Sequence, residues 1–463
     1  MLVADGARPD TLSAALASGE LPALARLHAE GGLHTVTTVF PSVTGPAYAP
    51  FLMGRYPGTV GLPGLRWYDR SRTATSAPHF TRSYVGHEMR RVDGDLDPNA
   101  PTLFELTDSH VAALSVIGRG VADADREGHS PGFALRAAWT HFRGSVPGWL
   151  AIDRDIGGRV AARIRRDRPA VTFCALTGID KASHADGHDS RSVRAAMHIV
   201  DDVASAVRSG AEADGQWEAM HLWIVSDHGH SPVRAHDDLA ALLRSWRLGV
   251  TAHPWVGGGG RDAAVMVSGN AMAHVYLDLD DRPVRRWWPA LAARWDWLAD
   301  ALLGRDALDL LVLPLAADMC EVRTRGRGVA RIVTDGRLIS YLPQNGDPLG
   351  LGELHALSPT EAHEATWHSD HPDALVQIAH LASSPRSGDL ILSAARDWDF
   401  RSRWEPIRHR SSHGALHRDH MLVPLLLSRP VTGTPLRTVD VMPSALAALG
   451  LAAPPGIDGR SCL

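Results

Sequence analysis

Residues 170–184 read AVTFCALTGIDKASH, an apolar run with several β-branched residues that stops at Asp180. Two other stretches have the same form: Leu2–Ala4 stops at Asp5, and HLWIVS, residues 221–226, stops at Asp227. Continuous apolar runs of this kind predict strands buried on both faces, which is the habit of parallel strands. Between them lie stretches with helical spacing, PDTLSAALASGELPALARLHAEG (9–31) and SVRAAMHIVDDVASAVRSG (192–210). Strand alternating with helix predicts an α/β fold, a central and mostly parallel sheet covered by helices on both faces. Ligands of such folds bind beyond the carboxyl ends of the strands. Asp5, Asp180 and Asp227 are therefore expected to converge on one edge of the sheet.

Farther along the chain the pattern loosens, from Pro232 to Asp335. A Gly257–Gly260 run precedes AMAHVYLDL (271–279), which reads as a strand, and the Trp-rich RRWWPALAARWDWLADALLG (285–304) reads as helix. Aromatic residues at helical spacing usually face a core, so this Trp stripe is read as packing. Residues 232–335 are read as an inserted, cap-like subdomain, leaving 1–231 and 336–463 as the catalytic core. PRSGDLILSAARDWDF (385–400) and HMLVPLLLSRP (420–430) are expected to return to the main sheet. TVDVMPSALAALGL (438–451) has helical spacing and stops near Gly450.

The bulk numbers set the class. In 463 residues, 44% are apolar and 21% charged, the usage of an ordinary soluble globular protein with room for a large core. A net charge of −5 from interleaved acids and bases argues against a nucleic-acid polymer as partner. No apolar run reaches membrane-spanning length. The N-terminus has no basic segment followed by an apolar stretch, and Cys174, Cys320 and Cys462 lack CxxC spacing. Both point to a cytoplasmic, reducing location, with the reservation that a reading frame opening directly on MLVADG can have begun upstream.

Chemistry-bearing residues gather in short segments: ADG at Asp5, FPSVTGPAY around Thr44, GIDKASHADGH with Asp180 and His184, SDHGHS with Asp227 and His228, and SSHGALHRDH with His413. Asp and neutral His suit Zn²⁺ and similar divalent ions. Asp180 and His184 converge if that segment is helical, because positions i and i+4 share a face. Singly these motifs are weak, since DG is mostly a turn; in order, at strand ends, they are strong. His188, His230, His417 and His420 read as supports or substrate-side groups rather than ligands.

These segments, with DGARPDTL near the start, GRYPG (54–58) and IDGRS (457–461) near the end, resemble the type I phosphodiesterase / nucleotide pyrophosphatase group of the alkaline phosphatase superfamily. The likeness runs from Met1 to about Arg234 and from about Tyr341 to Leu463. It implies an alkaline-phosphatase-like fold and two divalent metal ions, with zinc the first choice. One would be held by Asp180, His184 and His413, the other by Asp5, Asp227 and His228 with the Thr44 hydroxyl. It implies Thr44 as nucleophile, a phosphothreonine intermediate and a small-molecule phosphate ester as substrate. Without the resemblance, Thr44 reads as a helix N-cap, and a cap there would add a helix dipole favouring anions.

Two positions depart from the family. Nucleotide-cleaving members place an aromatic residue after the nucleophile, where this chain has Gly45, and an asparagine about twenty residues on, where it has Leu65. Arg66 next door reads equally as a bidentate phosphate contact and as a solvated loop arginine. A sulfatase is excluded because no cysteine has the C/S-x-P-x-R context. A phosphomonoesterase or carbon–phosphorus hydrolase shares the same core, and a non-catalytic binding module retaining the fold is the alternative from another class. Oligomeric state is left open.

Overall fold

The computed structural model describes residues 1–71, 81–253, 260–279, 284–401 and 409–463, apart from the side chain of residue 87. Of the glycine run at 257–260, only Gly260 lies among them.

The central sheet has seven strands. At its middle Leu2–Ala4 lies parallel between Val171–Leu176 and Trp223–Val225, pairing Leu2 with Cys174 on one side and with Ile224 on the other. His110–Ala113 and Arg126–Glu127 extend the parallel part beyond Val171–Leu176. Leu422–Leu427 joins the other side antiparallel to Trp223–Val225, followed by Leu33–Thr37 at the edge. The alternation of side chains along a strand splits the core in two. Val3, Phe173, Ala175 and Val225 face one hydrophobic cluster, while Leu2, Ala4, Cys174, Leu176 and Ile224 face another. The second cluster is closed by the helices Val146–Asp167 and Arg191–Ala213, and the first by Ala49–Met53 and Val441–Ala448. Covering on both faces is why these strands read as unbroken apolar runs.

A second sheet of nine strands takes the middle of the chain. The strands expected at 271–279 and 420–430 and the Trp-rich helix are present, as Met272–Leu277, Leu422–Leu427 and Ala292–Leu303. Trp288 and Trp295 are buried against the second sheet. One sequence expectation is corrected here. Leu390–Ala394 does not return to the main sheet; it pairs antiparallel with Met272–Leu277 and Leu308–Ala316 in the second one. Ile339–Gly346 and Leu354–Leu357 also belong to that sheet, so its strands run well past residue 335. An apolar run carries its burial in its sequence but not the identity of its neighbours.

A small three-stranded sheet matters more for the site. Ser231–His236 pairs with Ser411–Ser412, setting Ser231 opposite Ser412. That ladder brings the segment after Asp227 beside the segment before His413. No helix among the described residues is long and apolar enough to cross a membrane.

Candidate active site

Parallel strand pairing sets the site. Asp5 follows directly on the strand Leu2–Ala4 and Asp227 comes one residue beyond the adjacent Trp223–Val225, and Asp180 stands in the first turn of the helix Gly178–Asp186 that follows Val171–Leu176. All three are buried at the carboxyl edge, as expected from their places at strand ends. His184 lies one turn on from Asp180 in the same helix, with Nε2 at 3.1 Å from Asp180 Oδ1. The ladder of the small sheet delivers His413, whose Nε2 is 3.6 Å from the same oxygen. His228 Nε2 stands 3.3 Å from Asp5 Oδ1 and 3.6 Å from Asp227 Oδ2.

Thr44 is half-exposed within a buried surround, its Oγ1 3.1 Å from His228 Nε2 and 3.3 Å from Asp5 Oδ1. The N-cap expectation is corrected. The residue flanking the short Pro46–Tyr48 turn is Gly45, no side chain caps it, and the following helix Ala49–Met53 has only 5 residues. The Thr44 hydroxyl is thereby directed to the carboxylates, and the helix-dipole argument falls away. Gly45 holds φ +96°, a conformation that side chains disfavour; this explains why no aromatic residue stands there. A Cβ at Gly45 would meet Val116 at 3.6 Å and Leu65 at 3.8 Å, so the flank of Thr44 is apolar. Arg66 Nε donates to Ser83 Oγ at 3.4 Å, and its backbone N–H to Ser268 Oγ at 3.3 Å.

The histidines are oriented from behind. His184 Nδ1 donates to the Ser411 carbonyl at 2.8 Å, His413 Nδ1 to the Ser42 carbonyl at 2.9 Å, and His228 Nδ1 to the Gly229 carbonyl at 3.2 Å. A carbonyl can only accept, so each Nδ1 carries a proton and each Nε2 is left facing the carboxylates, free to give its lone pair to a metal ion. Lone pairs facing lone pairs are satisfied by cations between them, and a backbone acceptor on the far ring nitrogen is the usual support of a metal-ligating histidine. Asp227 Oδ2 is buried with no hydrogen-bond partner among the described residues, an orphan that a cation would also satisfy. The residues therefore fit divalent metal.

Electrostatics tell the same story. Burial and then the Asp5 charge push the Asp227 carboxyl up to about 7. Burial opposes a charged His228, but Asp227 and Asp5 outweigh it and raise its pKa to about 9. Burial also opposes ionisation of Asp180, yet Lys181 and then His184 hold it well below the usual carboxylate range. Without metal, the three carboxylates share too few positive charges.

Two contributors were not assigned from the sequence. His230 Nε2 is 3.0 Å from Asp180 Oδ1, and potential ligand atoms of Asp180, His228, His230 and His413 lie within 4.8 Å of one another. Those of Asp5, Asp227 and His228 form a second such group; His184 touches Asp180 but is not one of the four. The DHGH spacing held the signal, since residues two apart on extended chain point to one side. Lys181 Nζ donates to Asp180 Oδ2 at 2.7 Å. Burial alone would lower its pKa; Asp180 and then Asp5 outweigh that and raise it. His188, His417 and His420 are in neither ligand group; His420 Nε2 sits 2.8 Å from Ser231 Oγ.

Comparison with known proteins bears on the family and the fold. A family model described as type I phosphodiesterase / nucleotide pyrophosphatase matches residues 1–416, the middle of the chain included. Among solved structures, phosphonoacetate hydrolase from Sinorhizobium meliloti 1021 in complex with phosphonoacetate is 17% identical, with 96% of this chain and 94% of that chain covered, at a TM-score of 0.57. An inactive murine ectonucleotide pyrophosphatase / phosphodiesterase 5 in complex with AMP is 13% identical over 98% of this chain and 95% of that chain, with a TM-score of 0.56. At such identities these two speak for the fold alone. No curated protein matches the chain.

Proposed function

The chain belongs to the type I phosphodiesterase / nucleotide pyrophosphatase family, and on that premise we propose that it hydrolyses phosphate diesters with Thr44 as nucleophile and two divalent ions as cofactor. Membership makes it a phosphoric ester hydrolase on the alkaline phosphatase scaffold. The single observation that carries the finer reading is Thr44 Oγ1, half-exposed and within 3.3 Å of both Asp5 and His228.

Asp180, His184 and His413, with His230 beside them, would hold one ion; Asp5, Asp227 and His228, with Thr44 Oγ1, would hold the other. When bound, zinc or a similar ion supplies Lewis acidity, which lowers the pKa of a neighbouring hydroxyl and offsets charge on phosphoryl oxygens. Thr44 Oγ1 attacks phosphorus as the bond to the leaving alkoxide breaks, forming phosphothreonine. Asp5 Oδ1 is the acceptor in reach of the hydroxyl proton. Water then attacks phosphorus, releases the phosphate product and restores the hydroxyl. Ser411 and Ser42 keep the imidazole Nε2 atoms aimed inward throughout. Gly45, Leu65 and Val116 offer no stacking surface for a base, so a nucleotide is disfavoured as substrate.

The test compares bis-p-nitrophenyl phosphate, p-nitrophenyl phosphate and phosphonoacetate as substrates of zinc-loaded enzyme. Diester turnover is expected to fall at least about a thousandfold in Thr44→Ala and on chelation. Preference for the monoester or the phosphonate would overturn the substrate class and keep the nucleophile. Undiminished turnover by Thr44→Ala would remove the nucleophile itself. Absence of any turnover from protein shown to carry metal would favour the binding module.

A further inference from the structure

The helix Pro131–Phe142 is well formed yet barely packed. Ser130 caps it by accepting from Phe133 N, Pro131 starts it, and Gly144 at φ +58° ends the segment. Its inner side is held through Phe133, Ala137 and Thr140. Its outer side carries Leu135, Trp139 and Phe142, which are 73%, 64% and 71% exposed. These positions, i, i+4 and i+7, form one stripe. Exposed apolar residues scattered singly are ordinary; an aromatic stripe on one helix face marks an interaction surface.

Charge identifies the partner. Residues 128–152 contain no Asp or Glu, in a chain whose acids outnumber its bases. Arg143 is exposed and lies over the Trp139 ring at 4.9 Å, and Arg154 and Arg159 are exposed on the neighbouring helix. Asp155, the acid that faces this helix, is already engaged by both Arg136 and Arg159. A second copy docked across a twofold axis would set the flanking Arg143 and Arg154 toward their own counterparts. A helix with Trp, Phe and Leu on one face and arginines flanking them is the pattern of one lying in an anionic lipid interface.

We infer that Leu135, Trp139 and Phe142, flanked by Arg143, dock this protein peripherally on an anionic lipid surface. The helix begins on the side of the sheet where the candidate site lies. The helix follows Arg126–Glu127, which runs parallel with the central strands and so leaves the sheet at the edge where Asp5 lies. The near-neutral charge of the whole chain averages over this patch. The inference rests on this helix and not on the chemistry of the site.

The experiment is co-sedimentation of the metal-loaded protein with vesicles of phosphatidylcholine alone or mixed with phosphatidylglycerol. The wild type is expected to bind the mixed vesicles, less at high salt. The triple variant Leu135→Ser/Trp139→Ser/Phe142→Ser should lose at least about tenfold in partitioning. Arg143→Glu, a single exposed charge, should weaken binding selectively on the anionic vesicles; circular dichroism melts report whether each variant folds. Three results would overturn the inference: no binding to mixed vesicles, equal binding to neutral ones, or undiminished binding by both folded variants. A wild-type dimer in light scattering that the triple variant dissolves would assign the stripe to a second copy instead.

Discussion

Gly229 separates the two histidines of DHGH, and a Cβ there would come 2.1 Å from the carbonyl oxygen of Asp419. Its own N–H donates to the His420 carbonyl at 2.9 Å, so the chain passes this point in direct backbone contact. A backbone carbonyl cannot swing aside as a side chain would, and overpacking of this kind typically costs about 1–3 kcal/mol. Gly229→Ala is expected to fold with a lowered Tm and to hold less zinc by elemental analysis, because His228 and His230 are displaced together. Full metal content in that variant would show the loop to be more compliant than its contacts imply. At this scale the reading from residues alone was strong where chemistry is local. Asp5, Asp180, His184, Asp227, His228 and His413 stood out by type and spacing, whereas their division into two ion sites and the part given to Thr44 came from the family resemblance; the structure brings all seven together. His230 was read as a support rather than a ligand and Lys181 was not singled out; the fold sets both beside Asp180.

Between elements, Asp153 ties the helix Val146–Asp167 to the one that presents Asp180 and His184. Its carboxylate accepts from Thr177 N at 3.1 Å and from Gly178 N at 2.6 Å. Burial raises its pKa to about 7 in spite of those bonds, against about 3.9 in an unfolded chain. Between those two values the folded protein holds a proton that the unfolded chain has released. Stability contributed by this group is therefore full at low pH and falls as pH rises toward 7. Thermal melts of chelated wild type and Asp153→Asn, taken across about pH 4 to 7, should differ by that slope, with the variant the flatter. Equal slopes would place the Asp153 pKa near its ordinary value. Element type was largely legible from local pattern, whereas sheet membership was not. Leu390–Ala394 is buried along its whole length, a burial that its sequence signals without naming the sheet, and its partners Met272–Leu277 and Leu308–Ala316 are distant in sequence.

For the whole molecule, the convergence of Asp5, Asp180 and Asp227 means that a bound metal ion would add to stability as well as to the proposed catalysis. An ion that binds the folded chain at a thousandfold above its Kd adds about 4 kcal/mol. Calorimetry should show a clear rise in Tm when zinc is restored to chelated protein, smaller in Asp227→Asn, which removes one carboxylate charge and the orphaned Oδ2. An unchanged Tm would mean that the cluster holds no metal. The α/β class, the edge on which the site lies and most of its side chains follow from short-range information: burial shows as apolar runs, and strand ends show where those runs stop at Asp. The folded chain alone decided which strand lies beside which, that Gly45 turns Thr44 toward Asp5 rather than capping a helix, and that Leu135, Trp139 and Phe142 stay outside. Each of these depends on contacts between residues far apart in the chain, and periodicity within one segment carries no record of its distant neighbours.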